Sequence, residues 1–225
     1  MLLFNSNYNA APSGGAGTAY VGEAYNISTT PTVHTLDYAS PNQGTALPAT
    51  FASGTFLVFS HTSVAPTSLV MDGTTAPLVD QRVASNMTVT AYEVTISGGG
   101  TGTIVLTLPS GGYAAVSVYN VTGLTRITSL DIYRQISNVN FPTNTDGTTT
   151  LTTLAGDVYI TAITSTDSAY SSWTGLTETM PKLTIGARYA GSAWNTNCTG
   201  GSPETLNVVL SATFKYTSVV SLIYR

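Results

Sequence analysis

The stretch Gly54-Thr55-Phe56-Leu57-Val58-Phe59-Ser60 decides the fold class. It is a short continuous apolar run of β-branched and aromatic residues, which reads as a buried strand. Thr67-Ser68-Leu69-Val70-Met71 follows and stops at Asp72-Gly73, a pair that accepts positive φ in a tight turn. Ala76-Pro77-Leu78-Val79-Asp80 is a further short strand, and Pro77 predicts a sheet edge, because proline cannot donate to a ladder. In Met87-Thr88-Val89-Thr90-Ala91 apolar and hydroxyl residues alternate, but the apolar set then shifts to Tyr92, Val94 and Ile96. One extra residue inverts which side chains face inward, so the slip predicts a β-bulge near Ala91. Ser97-Gly98-Gly99-Gly100-Thr101-Gly102 then leads into Thr103–Leu108, which reads as a hairpin with a glycine-rich connection.

The pattern continues downstream. Strands are expected at 113–121, Leu130-Asp131-Ile132-Tyr133, 157–164, 182–189, 206–214 and 219–224, the last tied into a sheet. Residues 138–150 read as a loop turning at Asp146-Gly147. No helical period persists over ten residues, and Glu, Lys, Arg and Gln are too scarce to surface a helix. About twelve short strands joined by Gly, Pro, Asn and Asp turns predict an all-β fold: an antiparallel two-sheet sandwich of jelly-roll or Greek-key type. Residues 31–225 show no break in composition and form one domain in this reading. Residues 1–30 differ. Their Asn, Ala, Ser, Gly and Pro, with Gly14-Gly15-Ala16-Gly17, predict an extended N-terminal arm, either disordered or ordered against a neighbouring subunit.

Composition sharpens the picture. Only 8% of the 225 residues are charged, whereas 42% are hydrophobic, which excludes a disordered chain. The 63 Ser and Thr residues are expected to form the solvent faces of the strands. Seven Lys and Arg against eleven Asp and Glu leave a net charge of −4, the wrong balance for nucleic acid. Cys198 is the only cysteine, so no intrachain disulfide forms. The start of the chain, Met1-Leu2-Leu3-Phe4-Asn5-Ser6-Asn7, lacks a cationic segment and a long apolar core; synthesis in a cytoplasm without a secretory signal is the expectation. No apolar run approaches the length of a membrane span. The Asn-x-Ser/Thr sites at Asn26, Asn86, Asn120 and Asn197 are no more than chance supplies in so hydroxyl-rich a chain.

Chemistry is sparse. His34 and His61 are the only histidines, no Gly-x-Ser-x-Gly elbow exists, and His61 closes a buried strand, a structural setting. The glycine run at 98–102 lacks the Lys and Ser/Thr of a phosphate loop. Asn144-Thr145-Asp146-Gly147 echoes a calcium loop without its closing Glu, and no Cys/His set has ligand spacing. No pair of carboxylates sits in a recognisable glycosidase motif. The expectation is therefore no enzyme, no cofactor and no metal. Aromatic residues are the remaining binding signal. Trp173 and Trp194 lie in polar, loop-like sequence, where a ring stacks on a sugar or partner or folds back over the core. Tyr8, Tyr20 and Tyr25 are the candidate contact residues of the arm.

Residues 54–121 resemble a β-sandwich domain of tailed-bacteriophage virion proteins. The resemblance is carried by the buried strand at 54–59, by 67–79 around Asp72-Gly73, by Val89-Thr90-Ala91-Tyr92-Glu93-Val94, by 102–107 and by 115–123. Gly156-Asp157-Val158-Tyr159-Ile160 and Ser172-Trp173-Thr174-Gly175-Leu176 extend it. These are strand and turn patterns rather than catalytic signatures. The resemblance implies a capsid decoration protein at the virion surface, with the major capsid protein as partner and a homo-oligomer as the working form. Its alternative is a head-fibre or tail-fibre module that binds host glycan through Trp173, Trp194 and tyrosines. It implies no nucleic-acid or membrane partner.

Overall fold

The computed structural model describes residues 18–40, 45–127, 134–137, 149–151, 153–166, 170–185, 188–200, 204–210 and 217–225. Among these the chain is all β, without a helix. The strands of the first half are β1 (Ala19–Asn26), β2 (Val33–Leu36), β3 (Gly54–Thr62), β4 (Ser68–Met71), β5 (Thr74–Thr75), β6 (Leu78–Ala84), β7 (Met87–Ile96), β8 (Ile104–Thr107) and β9 (Ala114–Asn120). Those of the second half are β10 (Arg134–Ser137), β11 (Thr149–Leu151), β12 (Val158–Thr166) and β13 (Tyr170–Thr174). They are followed by β14 (Thr177–Ile185), β15 (Arg188–Asn195), β16 (Glu204–Leu210) and β17 (Thr217–Tyr224).

A central sheet runs in the order β1-β9-β3-β7-β6. A cover sheet, β2-β8-β4-β5, packs on one face, and a base sheet, β10-β17-β12-β15-β14, on the other. A small sheet, β11-β16-β13, completes the described strands. All strand pairings between these elements are antiparallel. Central and cover sheets form the expected sandwich; the base sheet adds a layer that period-two alternation did not announce.

The double burial explains why Phe56–Phe59 of β3 are apolar without interruption. Phe56 and Val58 join Leu69, Met71, Ile104 and Leu106 in the core under the cover sheet. Leu57 and Phe59, on the opposite face, join Ile160, Val220 and Leu222 of the base sheet. A strand covered on both sides turns both of its alternating sets of side chains inward, so successive residues can all be apolar.

The same geometry corrects the bulge expected near Ala91. β7 pairs with β3 in unbroken register from Gly54↔Ile96 to Thr62↔Thr88. Val89 and Ala91 face the base sheet, while Tyr92, Val94 and Ile96 face the cover sheet. The apolar set changes phase because both faces are buried. A register shift does occur beside this point, but on β6, between Leu78 and Asp80. β6 is an edge of the central sheet, as Pro77 predicted.

The glycine-rich connection is not a hairpin either. β7 belongs to the central sheet and β8 to the cover sheet, so residues 97–103 cross between layers. Gly102 has φ 64°, and a Cβ there would lie 2.4 Å from Pro48 O, which explains the need for glycine in a close crossing. Asp72-Gly73 does make the tight turn expected of it, with φ 47° and 79° and Met71 facing Thr74.

Three further expectations change. Ala19–Asn26, within the segment read as an arm, pairs with β9. Residues 182–189 hold the end of β14 and the start of β15, which fold back so that Ile185 faces Arg188. Many hydroxyl residues are inside: Ser60, Thr62, Thr88, Thr90, Thr164, Ser218 and Ser221 are all buried. Several bond within the core, as Thr161 Oγ1 does to Ser221 Oγ at 2.8 Å and Ser218 Oγ to Met87 O at 2.8 Å. The expected strand at 130–133 and most of the loop at 138–150 lie outside the described residues. The closing strand β17 is held between β10 and β12.

Candidate interaction surfaces

Trp194 sits on β15 rather than in a loop, between Ile160 of β12 and Thr177 of β14. Its ring packs on Tyr119 with centroids 5.8 Å apart, so it folds onto the core between central and base sheets. Trp173 is also in a strand, on β13 opposite Val208, and is half-buried. The two tryptophans therefore do not form a shared loop platform. Tyr25 packs at the margin of the Met87, Tyr113 and Met180 cluster. Tyr8 lies outside the described residues.

Tyr20 belongs to a buried polar group that its sequence context did not reveal. Its ring packs on Tyr119 at 5.2 Å, and its hydroxyl donates to Glu23 Oε2. Glu23 is 1% exposed although β1 is an edge strand. Its other oxygen accepts the Thr45 N–H at 2.9 Å. Burial pushes the Glu23 carboxyl up to about 7, against the lowering effect of these two bonds. Gly22 makes the approach of residues 45–46 possible, since a Cβ there would lie 2.6 Å from Ala46 O. Tyr119 continues the group toward the base sheet, bonding Thr179 Oγ1 at 2.5 Å and Ser192 Oγ at 2.6 Å. Residues three apart on a regular strand face opposite sides; the register shift between Tyr20 and Gly22 brings Tyr20 and Glu23 together, and no local sequence signal announces it.

The remaining titratable clusters brace the fold. Arg225 closes on buried Asp157 through Nε at 2.7 Å and Nη2 at 2.8 Å, holding that carboxyl below its usual range. Glu93 accepts the Tyr224 hydroxyl at 2.8 Å and lies 3.5 Å from Arg126. His61 is fully buried, with Nδ1 3.1 Å from Thr164 Oγ1 and 3.2 Å from Ile163 O; burial pushes it down to about 4. His34 is buried and held below the ordinary imidazole range for the same reason. These neutral, enclosed imidazoles touch no acid–hydroxyl pair of triad geometry among the contacts described. Among the described residues, no group of three His, Cys, Asp or Glu side chains could hold a metal ion. Nor is any helix there long and apolar enough to cross a membrane.

The outer face of the cover sheet has a different character. One cross-strand row is Thr35, Val105, Val70 and Thr75; the next is Val33, Thr107 and Ser68. Each of these residues is exposed or half-buried, and none carries a charge. No protein-family model, curated protein or solved structure matches the chain.

Proposed function

We propose that this chain is a structural protein of a bacteriophage virion, a decoration protein that binds the outer capsid surface and stabilises it. The observation that carries the reading is the uncharged Val/Thr/Ser face of the cover sheet. Such a face buries against a partner with little desolvation cost, because no charge must be stripped of water. The partner in this reading is the major capsid protein. A ligand that binds only the assembled shell shifts the equilibrium toward it, so surface burial alone stabilises the particle. The polar clusters support the same reading: Glu23, His61, Tyr119 and Asp157 bond to backbone, to hydroxyls and to Arg225, as in a brace. The strand and turn pattern at 54–121 adds the resemblance to virion sandwiches.

The test is loading onto purified capsids that lack the protein, read as copies per particle by quantitative mass spectrometry. Saturation at hundreds of copies, lowered at least tenfold in affinity by Val105→Glu, is the expected result. A few copies per particle, or loading unaffected by Val105→Glu, overturns it. Glycan-dependent binding to host cells lost on Trp173→Ala would replace it with the fibre reading.

A further inference from the structure

We infer that two copies of this chain pair through the β6 edge of the central sheet, antiparallel about a two-fold axis at Gln81. Among the described residues, β6 has β7 on one side and no strand on the other. Pro77 and the register shift at Val79 blunt the beginning of this edge, which leaves Asp80–Ala84 regular against β7.

The main-chain geometry selects the residues that face outward. Ala84 and Met87 flank the two-residue turn at Ser85-Asn86 and form the closing pair of a hairpin. In such a hairpin the flanking pair exchanges both hydrogen bonds. Alternation then directs the main-chain groups of Arg82 toward β7 and those of Gln81 and Val83 outward. The Gln81 N–H, consistent with this, donates to the Asp80 carboxylate at 2.8 Å rather than to a strand. An antiparallel partner centred on Gln81 replaces that local bond with a main-chain pair.

Side-chain charge selects the register. Asp80 and Arg82 share the face of β6 turned toward β10 and β17 of the base sheet, where their side chains are 9% and 22% exposed, and lie 3.1 Å apart at the rim of that layer. With Gln81 opposite Gln81 of a second copy, each Asp80 faces an Arg82 and each Arg82 an Asp80. Moving the axis to Arg82 sets two guanidinium groups opposite each other, and moving it to Asp80 sets two carboxylates together. On the other face, Leu78 and Val83 are 58% and 40% exposed, because the cover sheet ends at the two-residue β5. Pairing would set Val83 beside the partner's β6 and shield it. The occupant is therefore a second copy of this chain, since the strand is complementary to itself. The pairing is short, which puts the contact below the roughly 800 Å² per partner of stable complexes and makes the dimer a weak one.

Sedimentation velocity over about three decades of concentration, up to millimolar, tests the inference. The intact chain should shift from monomer to dimer. Arg82→Glu, which opposes two acids, should weaken the dimer at least tenfold, and the double exchange Asp80→Arg with Arg82→Asp should restore it. Val83→Lys alters an exposed side chain, so its fold is retained, and it should weaken the dimer too. A chain that stays monomeric at millimolar concentration overturns the inference. So does a dimer indifferent to Arg82→Glu and Val83→Lys, or a double exchange that fails to restore pairing.

Discussion

Glu23 and Thr45 hold each other twice: the Glu23 N–H donates to Thr45 O at 2.8 Å, and the Thr45 N–H returns to Glu23 Oε1 at 2.9 Å. The clasp fixes residues 45–46 along the edge strand β1 and leads into Leu47 and Phe51 of the cover-side core. Its buried carboxyl binds a proton more tightly than in an unfolded chain.

That proton has a measurable consequence. Glu23 is raised from 4.5 to about 7, so between these values the folded state holds the proton more often, and stability falls as pH rises. His61 is lowered from 6.5 to about 4, so across that window the unfolded state holds the proton, and stability rises with pH. The two slopes oppose each other between about 4.5 and 6.5. Glu23→Gln removes the first and should unmask the second, a rise of up to about 3 kcal/mol from pH 4 to 6.5. Urea denaturation at stepped pH reads this; an unchanged profile in the variant refutes it.

Tyr119→Phe removes the hydroxyl that joins the central sheet to Thr179 and Ser192 of the base sheet. Both partners also contact each other at 3.2 Å, which lessens the loss. The expected destabilisation is about 1–2 kcal/mol in equilibrium unfolding. A change below a few tenths would show that the hydroxyl is not part of the brace.

Ser85 turns the β6–β7 hairpin with φ 56°, a region costly for any residue with a Cβ, and its side chain is exposed. Ser85→Gly should stabilise the fold by roughly 0.5–1 kcal/mol, the strain relieved exceeding the entropy that glycine adds to the unfolded chain. A lower melting temperature in the variant would contradict this.

Asp157 lies under Arg225 and also accepts the Leu154 N–H at 2.8 Å. Its lowered pKa means that stability present above the ordinary aspartate range is lost as pH falls through the folded value. Asp157→Asn should lower the melting temperature at neutral pH and lessen the decline on the acid side. Equal melting temperatures for the two proteins at pH 7 would show the clamp to be idle.

Local chemistry was sufficient for much of the fold. Asp72-Gly73 specifies its turn because few residue pairs accept two successive positive φ values. Pro77 specifies an edge because it lacks a donor, and the scarcity of Glu, Lys and Arg excludes a helical surface. Phe56, Leu57, Val58 and Phe59 are buried because their apolar side chains gain by leaving water. These follow from properties each residue carries alone.

Only the tertiary structure decided which faces are inside. The phase change at Ala91 and Tyr92 reads as a bulge if one face is wet and as a regular strand if both are dry; the base sheet, contributed from beyond residue 133, makes it the latter. The positions of Trp194 against Tyr119 and of His61 against Thr164 follow from the same layer. Glu23 and Thr45 are 22 residues apart, and Asp157 and Arg225 are 68. Sequence encodes what each residue can do locally; which partner it meets depends on chain closure over such distances, and that is set by the packing of whole sheets.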